Sequence, residues 1–250
     1  MLKKYVSSLL ILPLIVINIC FSANSQSLYK VEIGNHADSL KDLELDLIAT
    51  DEIGGYSIRK FRLNNGNYLS VTYETSSQRI VFIEADSSRN SIEKSNFRDF
   101  SYGLTTLAEI RQELGSNGCA YHNNGIIETP RGIAFINAYQ IRNNSEIMGV
   151  FISHLNSSDF QVVQKNPDKI ADFATLDSII LSEENYLNKI WGQQQGCDPN
   201  YEPINWYSDR SLHTEALINP SWREVPSTAT PENSQSGSLY SDPAYINENS

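Results

Sequence analysis

Two Asn-Asn-Gly triplets, Asn64-Asn65-Gly66 and Asn123-Asn124-Gly125, sit between runs of β-prone residues, and no other feature constrains the fold as strongly. Asn and Gly tolerate positive φ, so an Asn-Gly pair in that setting favours a tight turn between antiparallel strands. Ser57–Leu63 and Asn67–Tyr73 flank the first triplet, and a third run, Arg79–Ala85, follows the polar connection Thr75–Gln78. Three strands of matched length are predicted, with Leu69, Val71 and Tyr73 on one face. The second triplet follows Cys119-Ala-Tyr-His122 and precedes Gly132–Gln140 and Ile147–Leu155. These runs read as a second meander, with Arg142-Asn-Asn-Ser145 as its last turn.

Helix signals fall between and after the meanders. Thr106 with Glu109 three residues on makes a capping-box pattern, Leu107, Ile110 and Leu114 recur at helical spacing, and Gly115 supplies a stop. Asn166-Pro167-Asp168 combines a cap, an N1 proline and a first-turn acid, so Leu176, Ile179 and Ile180 are expected on one helix. Ser182-Glu183-Glu184 reads as a fresh N-terminus for a second, carrying Leu187, Ile190 and Trp191 and ending at Gly192. Ala37–Leu47 reads as a capped helix in its first half and as an alternating strand in its second. The sum is an α+β fold: antiparallel meander sheets with three or four short helices.

The first 25 residues are of another kind. Lys3 and Lys4 precede an apolar run through Ile17 that ends in Ser22-Ala23-Asn24-Ser25, the profile of a cleaved signal peptide, with cleavage before Gln26 or after Ser22. Pro13 and Asn18 interrupt the run, which argues against a membrane anchor, and Ile19 before Cys20 departs from the small residue that lipid attachment requires. The expected layout is a signal peptide at 1–25, a globular region at 26–222 divisible into 26–100 and 101–222, and a disordered tail at 223–250 with no base after Arg223. No integral membrane segment is expected after cleavage. Removing residues 1–25 moves the net charge from -11 to -13, which argues against nucleic acid as a partner, since phosphate recognition rests on Lys and Arg. Cleavage also leaves Cys119 and Cys197 as the only two cysteines, in a compartment that permits a disulfide. One bridge or two buried free thiols are the alternatives.

Sequence motifs for chemistry are missing. His36, His122, His154 and His213 lie apart, with no spacing that gathers a metal, and no cofactor-binding pattern appears. There is no GxSxG elbow, and neither Gly54-Gly55 nor Gly115-Ser-Asn-Gly118 has the spacing of a phosphate loop. No catalytic residue is assigned. A carboxylate pair stays open, because the 30 acids offer many pairs and chain spacing says little about separation in space. Late aromatics are the other candidate. Trp191, Trp206, Tyr207 and Trp222, with Tyr186 and Tyr201, concentrate in 186–222, where they either form a recognition surface or fill the core beneath an irregular strap.

The helix Leu104-Thr-Thr-Leu-x-x-Ile-x-x-x-Leu-Gly115 and the meander after it resemble the small helix-plus-sheet modules of SmpA/OmlA and β-lactamase-inhibitor-like cell-envelope proteins, over Gly103 to Leu155. The resemblance implies a non-enzymatic module that docks on another protein through its sheet. It carries over no functional residue, and the lipid-attachment cysteine of the lipoprotein members has no counterpart. The expected function is that of a secreted or periplasmic binding protein, with an envelope or secreted protein or a glycan as partner. The alternative is an extracytoplasmic hydrolase that attacks glycans or peptidoglycan through carboxylates.

Overall fold

The computed structural model describes residues 26–88 and 92–206. The expected signal peptide, the tail at 223–250, Cys20 and His213 therefore lie outside the described residues. A two-stranded ribbon, β1 (Ser27–Leu28) with β2 (Val31–Glu32), opens the described chain and leads to a 3₁₀ helix over Ala37–Leu43. His36 caps that helix through its ring, which accepts from the Asp38 N–H at 3.3 Å. β3 (Asp46–Ile53) follows, so both halves of the ambiguous Ala37–Leu47 segment are realised.

The first meander forms as read, from β4 (Tyr56–Arg62), β5 (Tyr68–Glu74) and β6 (Ile80–Asp86). At its first turn only Gly66 takes positive φ, at 86°, and its N–H donates to the Leu63 carbonyl at 2.9 Å. This is a three-residue loop ending in a left-handed glycine, not a two-residue Asn-Gly turn. The helix α1 (Leu107–Leu114) has both bonds of the capping box: Thr106 Oγ1 accepts from Glu109 N at 3.2 Å, and Glu109 Oε2 accepts from Thr106 N at 2.8 Å. Gly115 closes it at φ 77°. Next come β7 (Cys119–Ala120), the one-turn element α2 (His122–Gly125), β8 (Ile126–Thr129), β9 (Gly132–Ile141) and β10 (Asn144–Asn156). Then follow α3 (Ser157–Gln164), a 3₁₀ turn at Pro167–Lys169, α4 (Ile170–Phe173), β11 (Thr175–Glu183), α5 (Glu184–Trp191) and β12 (Gly196–Cys197).

The α+β expectation is overturned. Strand accounts for 45% and helix for 23%, and ten of the strands form one antiparallel sheet in the order β12-β7-β9-β10-β11-β6-β5-β4-β3, with β8 also on β9. The error arose mainly at Leu176, Ile179 and Ile180, which lie in β11 and not on a helix. β11 is an interior strand, paired with β10 on one side and β6 on the other, and Leu176 and Ile179 to Leu181 are fully buried. A short apolar run buried on both faces has no period-2 signature to separate it from a helix. The N1-proline signal holds only for the single turn before β11. Because β11 joins β10 to β6, the sheet is continuous across residue 100.

Both faces are covered, which is why β6 is buried along nearly its whole length. One face carries Val71, Ile83, Phe151 and Leu181, and packs against Leu28 and Val31, α1 and the irregular strap that ends in Ile204 and Trp206. On the other, Phe82, Val150 and Ile180 meet Tyr186, Leu187, Ile190 and Trp191 of α5. At the far edge β3 is exposed at seven of its eight positions, and Asp46, Asp51 and Glu52 make it a poor template for further pairing.

Candidate functional site

The outer side of β9 is shared by two short strands. β7 pairs with it at Ala138 and β8 at Gly132 to Phe135, so the ladder is interrupted at Ile136 and Asn137, and α2 crosses the gap. Asn123, Asn124 and Gly125 hold φ of 49°, 57° and 76°, three successive left-handed residues, so this element is a left-handed turn and not a right-handed helix. Asn tolerates that conformation through its short polar side chain. Gly125 is required on a second ground: a Cβ there would stand 2.5 Å from the Ile136 carbonyl oxygen.

A cleft of about 540 Å³ opens at this interruption, between α1, the Asn117–Gly118 loop, the α2 turn, β9, the turn at Pro167–Ala171 and the Gln195–Pro199 loop. Its rim is cross-linked. Cys119 and Cys197 are joined in a disulfide, Asp198 Oδ2 accepts from Asn117 N at 3.1 Å, and Gln195 Oε1 accepts from Asn124 N at 3.1 Å. Backbone bonds from Gln195 N to Ala120 O and from Asp198 N to Gly118 O, each 2.9 Å, complete the seam. The Asn200 N–H, and after it the Asn117 N–H, hold the Asp198 carboxyl below its usual range by stabilising the ionised form. A rim fixed in this way has little freedom left to lose on binding.

Asn137 forms part of the cleft lining and is 6% exposed. Its amide donates to the Asn117 carbonyl, while its Oδ1 is buried without a hydrogen-bond partner among the described residues. Arg111, one turn past Leu107 on α1, also lines the cleft, and its Nε is likewise buried and unpartnered. Burial holds the guanidinium below its ordinary value, opposed by the nearby Tyr139 and Asp198. Neither residue emerged from the sequence. Asn137 had a visible signal, a lone amide in the apolar run Ile133-Ala-Phe-Ile-Asn-Ala-Tyr139; Arg111 had none.

The late aromatics are placed elsewhere. Trp191 and Trp206 are each 3% exposed, so neither offers a face to a ligand. Trp191 packs edge-on to Tyr121 at 5.8 Å, and Trp206 packs at a tilt against Phe97 at 4.5 Å while its indole N–H donates to the Ser27 carbonyl at 2.9 Å. Both fill the core, Trp191 on the α5 face with Val150 and Ile180 and Trp206 on the opposite face with Phe97 and Phe151. Tyr207 and Trp222 lie outside the described residues.

Three acids do converge, on the α5 face of the sheet. Glu84 accepts from Ser178 Oγ at 3.0 Å, Asp86 pairs with Lys60 at 3.4 Å, and Asp177, the extra residue at the β10–β11 bulge, takes Arg131 at 2.8 Å. Burial, reinforced by the Asp177 charge, pushes the Asp86 carboxyl up, and Lys60 opposes the rise. His154, beside Thr129 Oγ1 at 3.0 Å, is held down by burial. Each acid is engaged by a cation or a hydroxyl, the pattern of a buried polar network. Among the described residues no group of His, Cys, Asp and Glu is arranged to hold a metal ion, and no helix is long and apolar enough to cross a membrane.

No family model and no curated protein matches the sequence, so the SmpA/OmlA resemblance rests on the helix and meander pattern alone. Among solved structures the chain is similar to a cysteine-rich secretory protein from Staphylococcus aureus, with a TM-score of 0.40 and 13% identity over 78% of this chain. It spans 59% of the length of that protein. A likeness at this level fixes neither fold nor function.

Proposed function

We propose that the protein works outside the cytoplasm as a binding protein, seating a small polar ligand, or the polar end of an envelope protein or glycan, in the cleft at the β9 edge. The single observation that carries this reading is Asn137 Oδ1, buried and without a partner among the described residues where it lines a cross-linked cleft. A buried, unpartnered acceptor costs about 1–3 kcal/mol, and a ligand that donates to it would recover that cost. The N-terminal signal pattern and the disulfide support an extracytoplasmic setting. Binding is preferred to catalysis because both described cysteines are tied up in the disulfide, which leaves neither as a thiol nucleophile.

The test is a thermal-shift screen of the oxidised protein against sugars, amino acids and short peptides, with hits followed by amide NMR. Supporting hits move the Asn117, Gly118 and Asn124 amides. Hits that leave those amides in place, or that are turned over, overturn the reading; turnover lost on substitution of Glu84, Asp86 or Asp177 would favour the hydrolase instead.

A further inference from the structure

Resting on that reading, we infer that the cleft recognises a carboxylate that has a hydrogen-bond donor within one or two atoms of it, received by Arg111 and Asn137 together. Arg111 forms no ion pair and no hydrogen bond among the described residues, although it is partly buried and its Nε is wholly so. Three other described arginines are answered by an acid: Arg79 by Glu183, Arg98 by Glu113 and Arg131 by Asp177. Asp198 acts on this guanidinium only from a distance, without an ion pair, and the planar fork matches a carboxylate better than any neutral acceptor.

The two acids in the lining do not take that role. Both Asp198 oxygens accept backbone N–H groups, from Asn117 at 3.1 Å and Asn200 at 2.8 Å, and Asp168 sits in the first turn after Pro167 with no ion pair to Arg111. Asn137 completes the chemistry. Its free atom is an acceptor, so the ligand must bring a donor as well as an anion. Those two demands describe the end of a peptide, where an amide N–H lies two atoms from the terminal carboxylate carbon, and equally an aldonic sugar acid, where the α-hydroxyl does.

Four probes separate these cases by calorimetry or NMR titration at millimolar concentration: N-acetylglycylglycine, its C-terminal amide, gluconate and gluconamide. The expected result is that one acid binds at least about tenfold more tightly than its neutral counterpart, as a lost charge-assisted bond demands. The peptide pair identifies a peptide end and the sugar pair a sugar acid. Arg111→Gln should abolish the preference while the melting temperature stays close to that of the native chain, and Arg111→Lys should restore part of it. Equal binding of acid and neutral probes, with the cleft amides moving, overturns the carboxylate inference and leaves the cleft as a binding site. No binding by any probe overturns it as well, and the broader thermal-shift screen then decides the binding-site reading by itself.

Discussion

Replacing Trp206 by alanine should cost more than almost any other single change in the described chain. The indole fills space against Phe97 at 4.5 Å and Phe151 at 6.3 Å, roofs Gly149, and supplies the Ser27 carbonyl with a donor at 2.9 Å. Truncating a buried tryptophan costs about 3–5 kcal/mol, and loss of a buried hydrogen bond adds about 1 kcal/mol. For a domain of this size that total is a fall in Tm of roughly 10–20 °C. Circular dichroism melts of the oxidised protein at neutral pH measure it, with Leu47→Ala as the control, because Leu47 is 51% exposed on the edge strand and its loss should be almost silent. Trp206→Phe keeps an aromatic ring and loses the indole donor, so it should fall between the two. Gly149 gives a second handle: an added Cβ would meet the Trp206 ring at 2.4 Å, so Gly149→Ala alone should destabilise, and much of that penalty should vanish in the Trp206→Ala background. A Trp206→Ala protein that melts within a few degrees of the native one, or penalties that simply add, would refute the claim that this residue is core.

Three further outcomes follow from the same structure. Reduction of Cys119–Cys197, or Cys119→Ser with Cys197→Ser, should lower stability by about 4.5 kcal/mol, the chain-entropy value for a loop of 78 residues, read by denaturant titration with and without reductant. Gly125→Ala should cost about 2 kcal/mol or more, through its φ of 76° and the 2.5 Å approach to the Ile136 carbonyl, while Gly54→Ala, with open space around it, should cost only its backbone strain. Burial depresses the His154 pKa in the folded state, so the unfolded chain binds more protons as pH falls below the ordinary histidine value of about 6.5, and stability declines from there toward the folded value. The native protein should therefore lose Tm relative to His154→Gln between pH 7 and pH 5; parallel profiles would show that His154 does not contribute. The comparison with the variant is needed because Asp86, whose pKa is raised, acts in the opposite sense, its contribution being lost as pH rises above about 3.8.

Local rules were legible in the chain and long-range ones were not. The first meander and the capping box around Thr106 rest on contacts a few residues apart, and both form where they were read. β11 failed because Leu176, Ile179 and Ile180 satisfy helical spacing as well as a strand buried on both faces, and only its insertion between β10 and β6 decides the matter. That insertion also turned two expected sheets into one. The cleft is less legible still. Arg111, Asn137 and Asp198 come from a helix, a strand and a loop, and the seam that brings them together depends on Cys119 meeting Cys197. Trp191 and Trp206 drew attention as large aromatics near the end of the chain, yet composition alone does not separate a recognition surface from a core built with rings.

The most direct test of the binding cleft is Asn137→Leu, measured for stability and for binding on the same preparation. The substitution removes a buried acceptor that has no partner and loses one bond to the Asn117 carbonyl, two effects of similar size and opposite sign. The predicted result is a Tm close to the native value together with loss of the thermal shift and amide perturbations produced by the best screened ligand. A variant that binds that ligand as the native protein does would contradict the account, and so would one whose Tm collapses, since Asn137 would then be a structural residue.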